Sequence, residues 1–111
     1  MAPRFIVLMV LAAALPGLAA SADDTRPRSA AEIVRNTCVL CHGPGLSGAP
    51  RVGSVRDWRP RVRFGLEALV RSAAEGKGAM PARGGMPDLT DEELRAAIAF
   101  MSGLDPAREG P

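Results

Sequence analysis

Apolar positions fall into three helix-periodic sets, and an unbroken apolar run from Phe5 to Ala14 precedes them. Leu66, Leu69, Val70 and Ala73 recur at i, i+3, i+4 and i+7, which predicts an amphipathic helix stopped by Gly76. Leu94, Ala97, Ile98 and Met101 make the same stripe near the C-terminus, with Phe100 at its edge. Thr90 and Glu93 form a capping box ahead of it, Asp91 and Glu92 suit the positive end of the helix dipole, and Gly103 stands at the stop. A third helix is predicted from Ser29, with Glu32 completing the box, through Ile33, Val34 and Thr37 to Cys41, ending at Gly43-Pro44-Gly45. The stretch that follows, to Gly53, is too rich in glycine and proline to be helical and reads as a loop. Residues 55–63 are basic, hold the sole tryptophan, Trp58, and carry Pro60; they form one short helix or two turns. No strand alternation, internal repeat or low-complexity tract is present, so the pattern is all-α.

The opening run is a different object. Arg4 precedes it, Pro16-Gly17 breaks it, and Ala20-Ser21-Ala22 stands before Asp23-Asp24, the layout of a secretory leader. It falls short of the roughly 20 apolar residues of a membrane span. The expected organisation is a signal peptide over 1–22, a flexible polar tail over 23–28, a domain over 29–103 and a flexible tail over 104–111. Removing 22 of the 111 residues leaves 89 and takes away Arg4, so net charge falls from +2 to +1. That balance does not suit a nucleic-acid binder. A chain this small buries a limited core and usually needs a staple.

The staple is written in Cys38-Val39-Leu40-Cys41-His42, a C-x-x-C-H that holds both cysteines and the only histidine. Positions three and four apart share a helix face, so two thiols and an imidazole point together. This is the pattern for covalent haem attachment: thioethers from Cys38 and Cys41, and His42 on the iron. A redox disulfide normally follows a strand in a βαβ unit, and no strand pattern is found here. Zinc would need a second ligand pair. An iron-bound histidine usually gives its other N–H to a backbone carbonyl, and Pro50, in Gly48-Ala49-Pro50, is the candidate. Trp58 has an N–H to satisfy if buried, for which a haem propionate is a suitable acceptor; the arginines at 56, 59, 61 and 63 suit propionates or a docking face.

With one histidine, the second axial ligand is a thioether or nothing. Met1 and Met9 belong to the leader, and Met101 to the buried stripe of the last helix. Met80 and Met86 remain, each followed by proline, in the glycine-rich loop 76–88. The residues alone do not choose between them.

The ordered set C-x-x-C-H at 38–42, Gly48-Ala49-Pro50, Gly76-Lys77-Gly78-Ala79-Met80-Pro81, Arg83-Gly84-Gly85 and Asp88 to Leu94 resembles the small bacterial class I cytochromes c of the c-five type over nearly all of 29–103. Trp58, with a proline two places on, resembles it too. The resemblance implies four to five short helices around one covalent haem c, with Met80 rather than Met86 as the axial ligand. Two cysteines found near the Gly-Gly segment in some relatives are absent. It implies a non-enzymatic periplasmic electron carrier, monomeric or weakly dimeric, without a membrane span in the mature chain. Its partners would be redox proteins: a periplasmic dehydrogenase, a terminal oxidase or a reductase. The alternative is a haem subunit of a periplasmic dehydrogenase complex; a sensor or enzyme with an open iron site would require that no methionine bind.

Overall fold

The computed structural model describes residues 2–3, 9–14, 17 and 26–106. Much of the expected leader, residues 23–25 and residues 107–111 lie outside the described residues. No helix among the described residues is long and apolar enough to cross a membrane.

Helix α1 (Ala30–Ile33) starts where Ser29, in extended backbone, accepts from Glu32 N at 3.2 Å, while the Glu32 carboxylate accepts from Ser29 N at 3.4 Å. It runs without interruption through a π-helical turn, Val34–Cys38, into α2 (Val39–His42). The sequence predicted one regular helix; the wider turn accommodates an extra residue. Ile33 and Val34 are buried, Cys38 is half-buried at the core's edge, and Arg35 and Asn36 remain in solvent.

The loop after α2 is ordered by its backbone. Ala49 N donates to Leu46 O, Val52 N to His42 O at 2.8 Å, and Gly53 N to Met101 O at 2.8 Å. Residues 55–63 resolve into one helix, α3 (Val55–Val62), capped by Ser54 and carrying Pro60 inside it. The carbonyl of Arg56, left without a helical donor by Pro60, belongs to an exposed residue. Helix α4 (Leu66–Glu75) buries Leu66, Val70 and Ala73, with Leu69 half-buried.

Helix α5 (Asp91–Ser102) packs against α1, α3 and α4. It buries Leu94, Ala97, Ile98, Ala99 and Met101, leaves Phe100 half exposed, and ends on Gly103 at φ 78°. Its capping box is formed by Thr90 and Glu93. Arg95 pairs with Glu67 across the α4–α5 contact.

Two expected boundaries are corrected. Arg28 falls in the 23–28 segment expected as a flexible tail, but its Nε lies 2.7 Å and its backbone N 3.0 Å from the Glu93 carboxylate, and its Nη1 lies 3.2 Å from Asp88. Glu93 is only 6% exposed, and a buried carboxylate needs a paired, hydrogen-bonded partner; Arg28 therefore belongs to the folded unit. At the other end Leu104 packs on the core, and Arg95 Nη2 donates to Pro106 O at 3.0 Å, so the start of the 104–111 segment is tied down as well.

Candidate haem and metal site

The site begins at the end of the first helical segment. Cys38 is half-buried and Cys41 exposed, and both are free thiols. Burial pushes the Cys38 thiol up from its ordinary value. One residue after Cys41, His42 turns Nδ1 to the Pro50 carbonyl at 2.7 Å. A carbonyl accepts, so Nδ1 carries the proton and Nε2 keeps its lone pair for a metal. The Pro50 carbonyl named from the sequence is thus beside the ring, held there by the 42–53 backbone bonds described above.

Trp58 supports the same ring from α3. The two ring centroids stand 6.0 Å apart with planes 13° from parallel. Its indole N–H donates to Arg51 O at 2.9 Å. This corrects the expected propionate contact: a backbone carbonyl next to the His42 acceptor already satisfies the buried N–H, and Trp58 packs on the histidine instead. Arg51 also pairs with Asp57 at 2.7 Å, holding that carboxyl well below the ordinary range. Arg61 donates to the carbonyls of Asp57 at 2.8 Å and Gly48 at 3.4 Å, so its guanidinium braces the loop against α3. Arg63 lies over Phe64.

The two methionines of loop 76–88 differ in their surroundings. Met80 closes a tight turn, exchanging backbone hydrogen bonds with Lys77 at 3.0 and 2.9 Å. Its half-buried side chain rests on the core's edge. Among the described residues no hydrogen bond reaches its sulfur. Met86 is engaged: Thr37 Oγ1, one residue before Cys38, donates to its Sδ at 2.8 Å. Nothing in the sequence signalled this contact. Nor did it signal the bonds of Arg83 to Leu89 O and Asp91.

The donor set fits an iron that arrives in its own macrocycle. Among the described residues no group of three or more His, Cys, Asp or Glu comes together to cage a bare ion. What is present is one imidazole nitrogen, two thiols at thioether-forming spacing and an uncommitted thioether. Those groups would supply two ligands to the iron and the covalent tethers of a haem. Around them the attachment segment is apolar and open, with Leu40 70%, Leu46 54% and Val39 38% exposed.

Comparisons agree with this donor set. Residues 25–101 match the family model described as cytochrome c oxidase, cbb3-type, subunit III. The chain is 43% identical to cytochrome c5 of Ectopseudomonas mendocina over 79 residues, 69% of this chain and 91% of that protein. It is 43% identical to cytochrome c5 of Azotobacter vinelandii, covering 69% of this chain and 95% of that one. Among solved structures, a mono-haem ferrocytochrome c from Shewanella putrefaciens aligns with TM-score 0.62 and 43% identity over 68% of this chain and 93% of its own. A chain from an electron-transfer complex of nitrite reductase with cytochrome c aligns with TM-score 0.64 and 38% identity, over 71% of this chain and 98% of that one.

Proposed function

Because the chain belongs to the small class I cytochromes c, the family of cytochrome c5, we propose that it is a periplasmic electron carrier whose haem c iron is held by His42 and Met80. The family carries one covalent haem c and moves electrons without making or breaking substrate bonds. Haem c supplies a one-electron ferrous–ferric couple when bound. Cys38 and Cys41 tether it. Pro50 and Trp58 fix the His42 ring, and a fixed ring limits the rearrangement that accompanies electron transfer.

The observation that carries the ligand assignment is the contrast between the methionines. A thioether already accepting a hydroxyl proton is poorly placed to bind iron; Met86 is in that state, and Met80 is not. The leader-like residues 1–22 support export. Val39, Leu40 and Leu46 form an apolar face beside the attachment point, suited to weak docking of a redox partner. Nitrite reductase, in the solved electron-transfer complex with cytochrome c, is an example of such a partner class. Because the family description names an oxidase subunit, the competing arrangement is a haem subunit fixed in a larger oxidoreductase.

The test is protein isolated from the periplasm. Its mass should equal the chain from Asp23 onward plus one haem, and its ferric spectrum should show the weak far-red Met–iron band. Met80→Ala should lose that band and shift the midpoint potential strongly downward; Met86→Leu should keep both. A mass equal to bare polypeptide overturns the carrier reading. Elution of the native protein only with a larger chain replaces the free carrier with the subunit.

A further inference from the structure

We propose that Arg83 is a positioning residue for the axial thioether: its guanidinium staples the methionine loop to the first turn of α5 and so sets how firmly Met80 is held at the iron. This rests on the Met80 assignment above.

The geometry is specific. Arg83 sits at φ 54°, ψ 30°, a left-handed conformation that a non-glycine residue keeps only when its surroundings over-determine it. Its side chain supplies the determination. Nη1 donates to Leu89 O at 2.7 Å, and Nη2 meets Asp91 Oδ1 at 2.5 Å. Leu89 is 3% exposed, and Asp91 is the first residue of α5. One rigid fork therefore joins the middle of the loop to a core residue and a helix end at once.

Backbone bonds carry that anchor upstream. Gly84 N donates to Pro81 O at 3.0 Å, Met86 N to Arg83 O at 3.1 Å, and Leu89 N to Met86 O at 3.0 Å. Pro81, with its fixed φ, follows Met80 directly. Between the Lys77–Met80 turn and the clamped Arg83 only Pro81 and Ala82 intervene. Without the clamp, the α5 side of the loop is held by Thr37 on Met86, by Arg28 on Asp88 and by the buried Leu89, none of which reaches residues 81–85, and the sulfur swings more freely. Lysine cannot replace the fork, since it offers a point charge rather than two donors in fixed geometry.

The readout is displacement of methionine from the ferric holoprotein by added imidazole, together with the far-red band. Arg83→Asn is the informative change, because asparagine tolerates a left-handed φ and the variant loses only the clamp. It should bind imidazole at least tenfold more tightly than the unaltered protein and show a weaker band. Arg83→Lys should fall between the two. Glu67→Gln, which breaks the ion pair to Arg95 on the α4–α5 contact away from the loop, should bind imidazole as the unaltered protein does. If Arg83→Asn does not fold, Asp91→Ala removes one arm of the clamp and should tighten imidazole binding by a smaller factor. Unchanged imidazole affinity and band in the clamp variant overturn the proposal, provided Met80→Ala loses the band. A Met80→Ala protein that keeps the band overturns the ligand assignment and this proposal together.

Discussion

Glu93 is the residue on which two ends of the chain meet. Its carboxylate accepts from Arg28 Nε at 2.7 Å, Arg28 N at 3.0 Å and Arg28 Nη2 at 3.1 Å, and from Thr90 N at 3.2 Å. The Arg28 hydrogen bond, with those backbone donors, overcomes the cost of burial and holds its pKa at about 2, against an ordinary 4.5. The unfolded chain therefore binds more protons than the folded one between these values, so stability rises with pH across that window. This contribution is fully present above about 4.5 and is lost as the pH falls through about 2. Thermal melts of the holoprotein from pH 5 to pH 2 should show a falling Tm. Glu93→Gln should flatten that slope and lower Tm at neutral pH. An unaltered slope in Glu93→Gln would assign the acid limb to other carboxyls, with Asp57, held down by Arg51, the next to examine.

At the scale of elements, two glycines that look alike in the sequence behave differently. Gly76 ends α4 at φ 88°, ψ 153°, a region essentially closed to other residues. A Cβ there would stand 2.9 Å from Ala82 N and 3.1 Å from Met80 O. Gly103 ends α5 at φ 78°, ψ 8°, with nothing within 4 Å of an added Cβ. Gly103→Ala should therefore cost only the left-handed penalty, about 1–2 kcal/mol, and leave the Met–iron band unchanged. Gly76→Ala should cost more and weaken that band, because the displaced atoms belong to Met80 and its neighbours. Equal Tm losses and intact bands in both variants would show that the loop yields to the intruding methyl. This contrast marks where sequence reading stops. The stripes Leu66–Leu69–Val70–Ala73 and Leu94–Ala97–Ile98–Met101, the capping boxes and C-x-x-C-H are local patterns, and the helices follow them. The Pro50 carbonyl was legible because a metal-bound histidine needs an acceptor and only a nearby rigid segment can offer one. The π turn, the Thr37–Met86 bond, the Arg28–Glu93 cluster and the Trp58 acceptor were not. The Thr37–Met86 and Arg28–Glu93 contacts depend on how segments far apart in the chain settle against one another, and the π turn and the Trp58 acceptor on how the local backbone packs; no spacing rule encodes either.

At the scale of the whole molecule, the protein core is incomplete by design. Ile33 and Leu66 are the only large side chains fully buried among the described residues. Cys38, Val52, Val62, Leu69, Met80 and Met86 lie half-buried along the core's edge. A helical domain of this size rarely gains more than about 3–5 kcal/mol from its own apolar burial. The covalent haem adds a large apolar plate, and its tethers at Cys38 and Cys41 spare the entropy of capturing it from solution. If the half-buried edge is the contact for that plate, folding and cofactor attachment are one event. The Cys38→Ala/Cys41→Ala chain, prepared without haem, should lose most of its far-UV helical signal and melt without a cooperative transition at neutral pH. If that chain instead unfolds cooperatively at the Tm of the holoprotein, α1, α4 and α5 suffice to hold the fold. The half-buried residues would then owe nothing to the haem, and the fold would be a scaffold that precedes its cofactor rather than one completed by it.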